Sequence, residues 1–392
     1  MAAIAGLLVA TPALSQTAAK PADDPGCAEK FDPAKDYFPE KVDSKHSTFW
    51  DIRYHGNYKV LSVTDTESTT GAKNTYVLVQ CGTPTPELAG DLKGAIVATV
   101  PIRRAIVTHR NVLSMLHEID EASSIVGLTK QFFDYAAIDP WYADLIKRSS
   151  NPQNVGKQED IDYETSLTLQ SDAIFMAGYG QGQTYVSKVR DRGLPVVLIS
   201  NRPEPTPLGS AEWLKLIAAF YNKEKSANTI FTDIETDYTA IAKKVADRLP
   251  KNFEAAYGCA GDEGGCGFFF AHGEQSLNGQ ILKLMGVTNS FAENNPQPNG
   301  MAFDYESALG RSQKTSFFVV YYIDSPLALA RDARYKNVPA LAAGKYIVST
   351  RPNYHECNAV TYVRVDQLIR DYAIGMLPDL YPGQQGVCFK AP

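Results

Sequence analysis

The chain is short of the marks that announce chemistry. It has no Gly-x-Ser-x-Gly elbow, no His-Glu-x-x-His pair and no Walker loop, so the commonest signatures of esterases, zinc peptidases and nucleotide hydrolases are absent. Gly178-x-Gly180-x-Gly182 lacks the dinucleotide-binding spacing. No Cys-x-x-Cys pair occurs, which argues against structural zinc. Histidine is scarce, with six scattered copies, whereas a bare-metal site gathers several His and carboxylate ligands; no metal site is expected. Beyond the N-terminal segment, no run approaches the roughly 18 apolar residues that span a bilayer. There is no basic cluster with interleaved aromatics, and the net charge is −6, so nucleic acid and anionic membrane are poor partners.

What remains is an ordinary globular composition, 44% hydrophobic and 21% charged, on 392 residues, enough for two domains. Residues 4–10 form an apolar, small-residue run, and Ala13-Leu14-Ser15 fits a small-x-small cleavage site. Residues 1–15 therefore read as a signal peptide without the usual basic start, with a disordered Ala-rich tail as the alternative. In an exported chain the six cysteines are expected in disulfides. Proximity and a Gly-rich loop favour Cys259 with Cys266. Cys27 with Cys81 and Cys357 with Cys388 would then tie down the two ends.

Two short stretches nearly repeat. Asp162-Tyr163-Glu164-Thr165-Ser166-Leu167 returns as Asp304-Tyr305-Glu306-Ser307-Ala308-Leu309, and each leads into an apolar run, residues 173–176 and 317–320. One copy per half predicts two similar lobes with a cleft between them. Residues 58–63 and 76–80 read as a hairpin. Thereafter strands at 105–107, 125–128, 173–176 and 195–199 alternate with helices, one of them capped by Asn111. This pattern implies a largely parallel sheet. Ser210 caps a helix to residue 221. Residues 226–249 carry apolar side chains at three- and four-residue steps, a helix long enough to join two lobes. Alternation resumes with strands at 268–270, 317–323 and 346–348 and helices at 276–285 and 365–373. The expected organisation is a signal peptide (1–15), an N-terminal lobe with an extension (16–225), an interlobe helix (226–249) and a C-terminal lobe (250–392).

In open α/β sheets, ligands bind beyond the carboxyl ends of the strands. On the first lobe that rule selects His109, Arg110, Tyr179, Gln181 and Arg202. On the second it selects His272, Tyr322, Arg351 and Tyr354. Arginines grip carboxylates bidentately and aromatics cover flat faces, so the set suits a planar or chelate-type anion. Each member has a plainer alternative. Arg202 could pair with Glu204, His109 could satisfy a helix start, and Tyr321 and Tyr322 alternate, which would turn one of them into the core.

These elements, in this order, resemble the periplasmic solute-binding proteins of siderophore, haem and cobalamin ABC importers. The resemblance is carried by residues 207–215 (Pro-Leu-Gly-Ser-Ala-Glu-Trp-Leu-Lys), by 58–63 and 76–84 with Gln80-Cys81-Gly82-Thr83-Pro84, and by Arg334-Tyr335 and 364–378. It implies an α/β fold of two similar lobes with central, largely parallel sheets, bridged by one long helix. It also implies a periplasmic monomer with no chemistry and no cofactor of its own. Such a protein delivers a small ligand, a ferric chelate in the first instance or haem, cobalamin or another bulky cofactor, to an inner-membrane permease. On the same likeness, Glu164 and Glu306 are the acids that dock each lobe onto the permease, although the helix dipole alone would also favour an acid there. An exported enzyme or an adhesive protein are the competing classes. Catalytic turnover would mark the first, and the lack of saturable small-ligand binding the second.

Overall fold

Whether a strand of this chain reads as a continuous apolar run or as an alternation depends on what covers it. The computed structural model describes residues 26–392 other than 67, 69–70, 179–181, 262–265, 296–299 and 326; the expected signal peptide lies outside the described residues. The chain opens with a four-stranded sheet, β1 (Trp50–His55), β2 (Tyr58–Thr64), β3 (Lys73–Gln80) and β4 (Ile96–Val100), in that order. The expected hairpin is β2–β3, antiparallel, with Leu61 opposite Tyr76. Strand β4 joins β3 in parallel.

The first lobe follows as β5 (Ala105–Val107), α1 (Arg110–Glu118), β6 (Ile125–Leu128), α2 (Lys130–Ala136), α3 (Pro140–Arg148) and β7 (Gln153–Asn154). The two-residue hairpin strands β8 (Gly156–Lys157) and β9 (Asp160–Ile161) lead to α4 (Tyr163–Thr168), β10 (Ala173–Ala177), α5 (Gly182–Arg190) and β11 (Val196–Ile199). Its sheet runs β11-β10-β5-β6-β7 and is parallel throughout. Strands β5, β6, β10 and β11 are buried at every residue, because helices cover both faces and no side chain need be polar.

Helices α6 (Pro207–Ala219) and α7 (Glu224–Ala246) come next. The second lobe contains β12 (Glu254–Cys259), β13 (Phe269–Ala271), α8 (Leu277–Leu284), β14 (Thr288–Asn289), β15 (Met301–Phe303), α9 (Tyr305–Ser312) and β16 (Phe317–Ile323). Short helices α10 (Ala328–Arg331) and α11 (Pro339–Ala342) precede β17 (Tyr346–Thr350), α12 (Arg351–Val360) and α13 (Val365–Met376). Strands β17, β16, β12 and β14 are parallel neighbours in that order. This order repeats β11-β10-β5-β6 and makes the lobes alike. Strands β13 and β15 add an antiparallel margin, so the Phe-rich strand is antiparallel rather than part of a βαβ unit.

The acidic repeat has a local cause. Asp162 caps α4 by accepting from the Thr165 N–H at 3.0 Å and its hydroxyl at 2.8 Å. Asp304 caps α9 through Ser307 in the same way, both at 2.8 Å. An Asp at the cap with a hydroxyl residue three positions on satisfies otherwise unpaired helix donors. Elsewhere the caps differ from expectation. His109, not Asn111, is the capping position of α1, and Thr206, not Ser210, caps α6 by accepting from the Gly209 N–H at 3.0 Å.

Helix α7 begins at Glu224 and packs on α6 and α13. Ala227 belongs to the hydrophobic core of the first lobe, and Phe231, Ile234, Tyr238 and Val245 to a core of the second. The N-terminal extension is fastened here by buried carboxylates. Glu212 accepts the backbone N–H groups of Lys45, His46 and Ser47 at 3.0, 2.7 and 2.8 Å, and pairs with Lys215 at 3.0 Å. Glu204 receives Trp213 Nε1 at 2.8 Å, the Thr48 N–H at 3.0 Å and the Ser47 hydroxyl. Lys59, fully buried, pairs with Glu224 and donates to the Ala219 carbonyl at 2.6 Å. All three expected disulfides are present, with Cα separations of 4.7 Å (Cys27–Cys81), 5.6 Å (Cys259–Cys266) and 5.5 Å (Cys357–Cys388).

Glu212→Ala strands several donors and the buried Lys215 together. It should cost about 3 kcal/mol in urea unfolding, and Glu212→Gln, which keeps one acceptor, should cost clearly less. Equal stability of Glu212→Ala and wild type would show that the extension is not held by this carboxylate.

Candidate ligand cleft

The carboxyl ends of the two sheets are brought together across α12. Thr350 stands at the capping position of this helix without a side-chain capping bond, and Pro352 stands at its start, where a missing N–H is harmless. The stretch after β17 had been expected only to offer separate side chains; it is instead a ten-residue helix with partners on both lobes. From the first lobe, Tyr142 Oη donates to the His355 carbonyl at 3.1 Å, and Asn111 Nδ2 donates to the Asn358 and Ala359 carbonyls at 3.1 and 2.9 Å. Asp139 accepts the Glu356 N–H at 3.0 Å, and the His355 ring stacks on Tyr135 with centroids 3.9 Å apart. From the second lobe, β17 feeds the helix directly and Cys357 is bonded to Cys388. Asp371 holds that tail by accepting the N–H groups of Val387, Cys388 and Phe389 at 2.8, 2.7 and 2.9 Å.

Tyr321 and Tyr322 do not alternate as a regular strand requires. The register of β16 against β17 shifts between Tyr321 and Ile323, and Tyr322 takes φ 61°, a left-handed conformation costly for a bulky residue. The bulge brings both rings to α12. Tyr321 stacks between Tyr257 (5.2 Å) and Tyr354 (5.5 Å), while Tyr322 meets Tyr354 edge-on at 4.8 Å. Strain of this kind collects where a side chain must be re-aimed.

Two hollows flank this helix. One, a small hollow of about 60 Å³, is lined by Arg202, Tyr257, His272, Tyr321, Ser349 and Tyr354 among others. The other, about 280 Å³, lies at the strand ends of the second lobe beside Tyr322, Asp324, Asp332, Arg334 and Arg351. Arg202 donates to Tyr362 Oη at 2.9 Å and lies over that ring at 4.5 Å, while Glu204 is engaged by the extension. Arg110 faces the Tyr135 ring at 6.0 Å, and Arg351 lies over Tyr322 at 5.0 Å and pairs with Asp324 at 3.0 Å. His109 is buried at the head of α1 and its side chain makes no capping bond. Thus His109, Arg110, Arg202, His272, Tyr322, Arg351 and Tyr354 gather around one helix. Tyr179 and Gln181 lie outside the described residues. Tyr135 on α2, Asp139 at the cap of α3, Tyr142 on α3, Tyr257 on β12, Asn358 on α12 and Tyr362 in the turn after it escaped the strand-end rule because none of them follows a strand end. The four-residue spacing of Tyr354, Asn358 and Tyr362 was the available signal.

Burial and the guanidiniums hold the histidines neutral. His272 is pulled down to about 4, first by burial and then by Arg202. Burial, then Arg202 and Arg110, keeps His109 well below its ordinary value, and burial with Arg110 lowers His355. Burial raises Tyr321 and Tyr354. At neutral pH the fixed charges nearest the rings are guanidiniums, which do not titrate. Among the described residues no group of three or more His, Cys, Asp or Glu could hold a metal, and no helix is long and apolar enough to cross a membrane.

A folded pKa below the unfolded one means that the unfolded chain protonates first. His272 therefore withdraws stability as pH falls from its ordinary value of 6.5 towards about 4. Its imidazole NMR signal should still report the neutral ring at about pH 5.5, and His272→Gln should flatten the loss of stability in that window. Titration of His272 near its ordinary value would contradict this environment.

Residues 120–349 match the family described as periplasmic binding protein. An uncharacterized lipoprotein of Methanocaldococcus jannaschii is 22% identical over 332 residues, 81% of this chain and 75% of the relative. Among solved structures, a periplasmic solute-binding protein of Veillonella parvula superposes with TM-score 0.58 at 14% identity, covering 84% of this chain and 89% of that one. A petrobactin-binding protein of Bacillus subtilis does so with TM-score 0.56 at 17% identity, covering 81% and 99%. With a match over more than half its length, on two lobes that share one strand order, the chain belongs to the periplasmic binding protein family, the ligand-capturing components of ABC importers.

Proposed function

We propose that this protein captures a ferric chelate outside the cytoplasmic membrane and delivers it to an ABC permease. The observation that carries this reading is the convergence of Arg110, Arg202 and Arg351 with the rings of Tyr135, Tyr321, Tyr322 and Tyr354 around α12. Guanidiniums answer the negative charge of a chelate, and tyrosines supply flat area and hydroxyl donors. The histidines stay neutral, so they add donors or acceptors without adding charge. The petrobactin-binding relative of the same fold is consistent with this ligand class.

In the same reading, His109, Arg110, Tyr179, Gln181, Arg202, His272, Tyr322, Arg351 and Tyr354 form the ligand set. Residues 1–15 direct export, and the mature chain divides into lobes 16–225 and 250–392 with 226–249 as a stiff joint between them. The packing of α7 against both cores supports that joint. Glu164 and Glu306 dock the permease. Each is exposed in the first turn of a helix capped by an aspartate, a matched pair of anionic points, one per lobe.

Two measurements test the proposal. Titration with ferric catecholate, ferric hydroxamate, haemin and cobalamin, followed by intrinsic fluorescence, should show saturable binding of a ferric chelate. Arg110→Ala and Arg202→Ala should each weaken it about tenfold or more. Failure of every ferric complex would remove the ligand class. With the permease in proteoliposomes, Glu164→Arg with Glu306→Arg should lower ligand-stimulated ATP hydrolysis about tenfold or more and leave Kd unchanged. Undiminished stimulation would remove the docking role.

A further inference from the structure

Residues 26–49 form neither helix nor strand, yet they are held along most of their length. Backbone donors of an irregular segment need acceptors from elsewhere, and α6 supplies them. Glu212 takes three in a row, and Lys215 reaches the Asp43 carboxylate at 3.4 Å. The segment lies so close to α6 that a side chain at Gly209 would meet the His46 carbonyl at 3.0 Å. Both ends of the segment belong to the first lobe. Cys27 is bonded to Cys81 just after β3, and Phe38 and Trp50 are buried in the first-lobe core, which also takes in Trp213, Leu214 and Ile217 of α6.

The middle of the segment leaves that lobe. Asn228 on α7 donates to the Lys41 carbonyl at 2.8 Å. About two turns further along α7, the Glu235 carboxylate accepts from Lys45 Nζ at 2.7 Å and from His46 Nε2 at 2.8 Å. The Lys45 hydrogen bond, before any other influence, holds the Glu235 carboxyl below its ordinary value, so it is an acceptor throughout the neutral range. The His46 ring lies beside Phe231 with centroids 5.8 Å apart. Phe231, Ile234 and Tyr238 are core residues of the second lobe, so this stretch of α7 is packed into that lobe. Lys45 and His46 therefore connect a backbone fixed to one lobe with a carboxylate and a ring fixed to the other. When the second lobe turns against the first, these contacts either break or lie on the axis of turning. In both cases the segment governs the turn.

We propose that residues 41–48 are a brace across the lobe junction, which sets the angle between the lobes in the free protein and limits its spread through the contacts of Lys45 and His46 with Glu235 and Phe231. The brace rests on the reading of α7 as the joint between the lobes. An exposed ion pair alone is weak, because two long side chains must be held in one geometry. Here Glu212 has already ordered the backbone that carries the two donors.

Spin labels on ketone-bearing side chains, one at Lys147 on α3 and one at Leu284 on α8, both exposed, report the lobe-to-lobe distance distribution of the free protein by double electron–electron resonance. Glu235→Ala removes the shared acceptor from a helix face that accommodates the change. It should broaden the distribution about 1.5-fold or more, and Glu235→Gln, which keeps an acceptor, should broaden it less. Lys45→Ala with His46→Ala should reproduce Glu235→Ala from the other side. An unchanged distribution in Glu235→Ala and in Lys45→Ala with His46→Ala overturns the brace. Thr239→Gly with Ala240→Gly softens α7 beyond these contacts. Broadening there with none in Glu235→Ala keeps the joint and removes the brace; broadening in Glu235→Ala alone keeps the brace and removes α7 as the joint. If the glycine variant does not fold, the variants of Glu235, Lys45 and His46 decide. The measurement needs no ligand, so failure of every ferric complex to bind leaves the brace standing.

Discussion

Helix α12 has to satisfy two lobes at once, and the rest of the cleft depends on that. Its backbone is held by Asn111, Asp139 and Tyr142 of the first lobe, whereas its chain direction and its cysteine belong to the second. A backbone group inside a closed interface must find a partner, and here the partners are side chains of the opposite lobe. This fixes where Tyr354, Asn358 and Tyr362 stand and hence which rings meet Tyr321 and Tyr322. The bulge at Tyr322 is the complementary adjustment on β16. Without it one of the two tyrosines would turn away from the helix.

The electrostatics follow from the same closure. Burial that would be costly for a charged imidazole leaves the three histidines neutral, so the positive charge of the cleft resides on the arginines. Those arginines lie against aromatic rings, Arg202 on Tyr362 and Arg351 on Tyr322, which orients each guanidinium, and Arg351 is also paired with Asp324. A binding protein is served by this arrangement: fixed charge and flat surface around neutral imidazoles.

Much of this was legible in the sequence where a residue's role is local. Asp162 and Asp304 announced their helices because capping acts over three residues. The runs at 173–176 and 317–320 announced buried parallel strands because both faces are covered. Of the disulfides, Cys259–Cys266 followed from proximity, and the other two from tying down the ends with the cysteines that remained. What was missed is where tertiary context decides. Central strand β12 reads Glu-Ala-Ala-Tyr-Gly-Cys, with none of the β-branched residues that mark strands. Its small residues are required because Ala255 and Ala256 are fully buried and a side chain at Gly258 would strike the Phe270 carbonyl and the Phe269 ring. Helix α12 went unseen because both its faces find partners, so no apolar stripe marks one side. Six of the seven candidate cleft residues that could be placed came together because the strand-end rule depends on topology; His272 was selected as the end of a parallel strand, but β13 is antiparallel, and it is that pairing which sets His272 beside Tyr257.

The most direct test of the account is hydrogen–deuterium exchange on the ferric-chelate complex against the free protein. If capture happens where the two lobes share α12, protection should concentrate in 108–118, 200–203, 321–324 and 351–360, with the N-terminal sheet at 50–100 unchanged. Bound ligand with unchanged exchange across 351–360, or with protection confined to the N-terminal sheet, would contradict it.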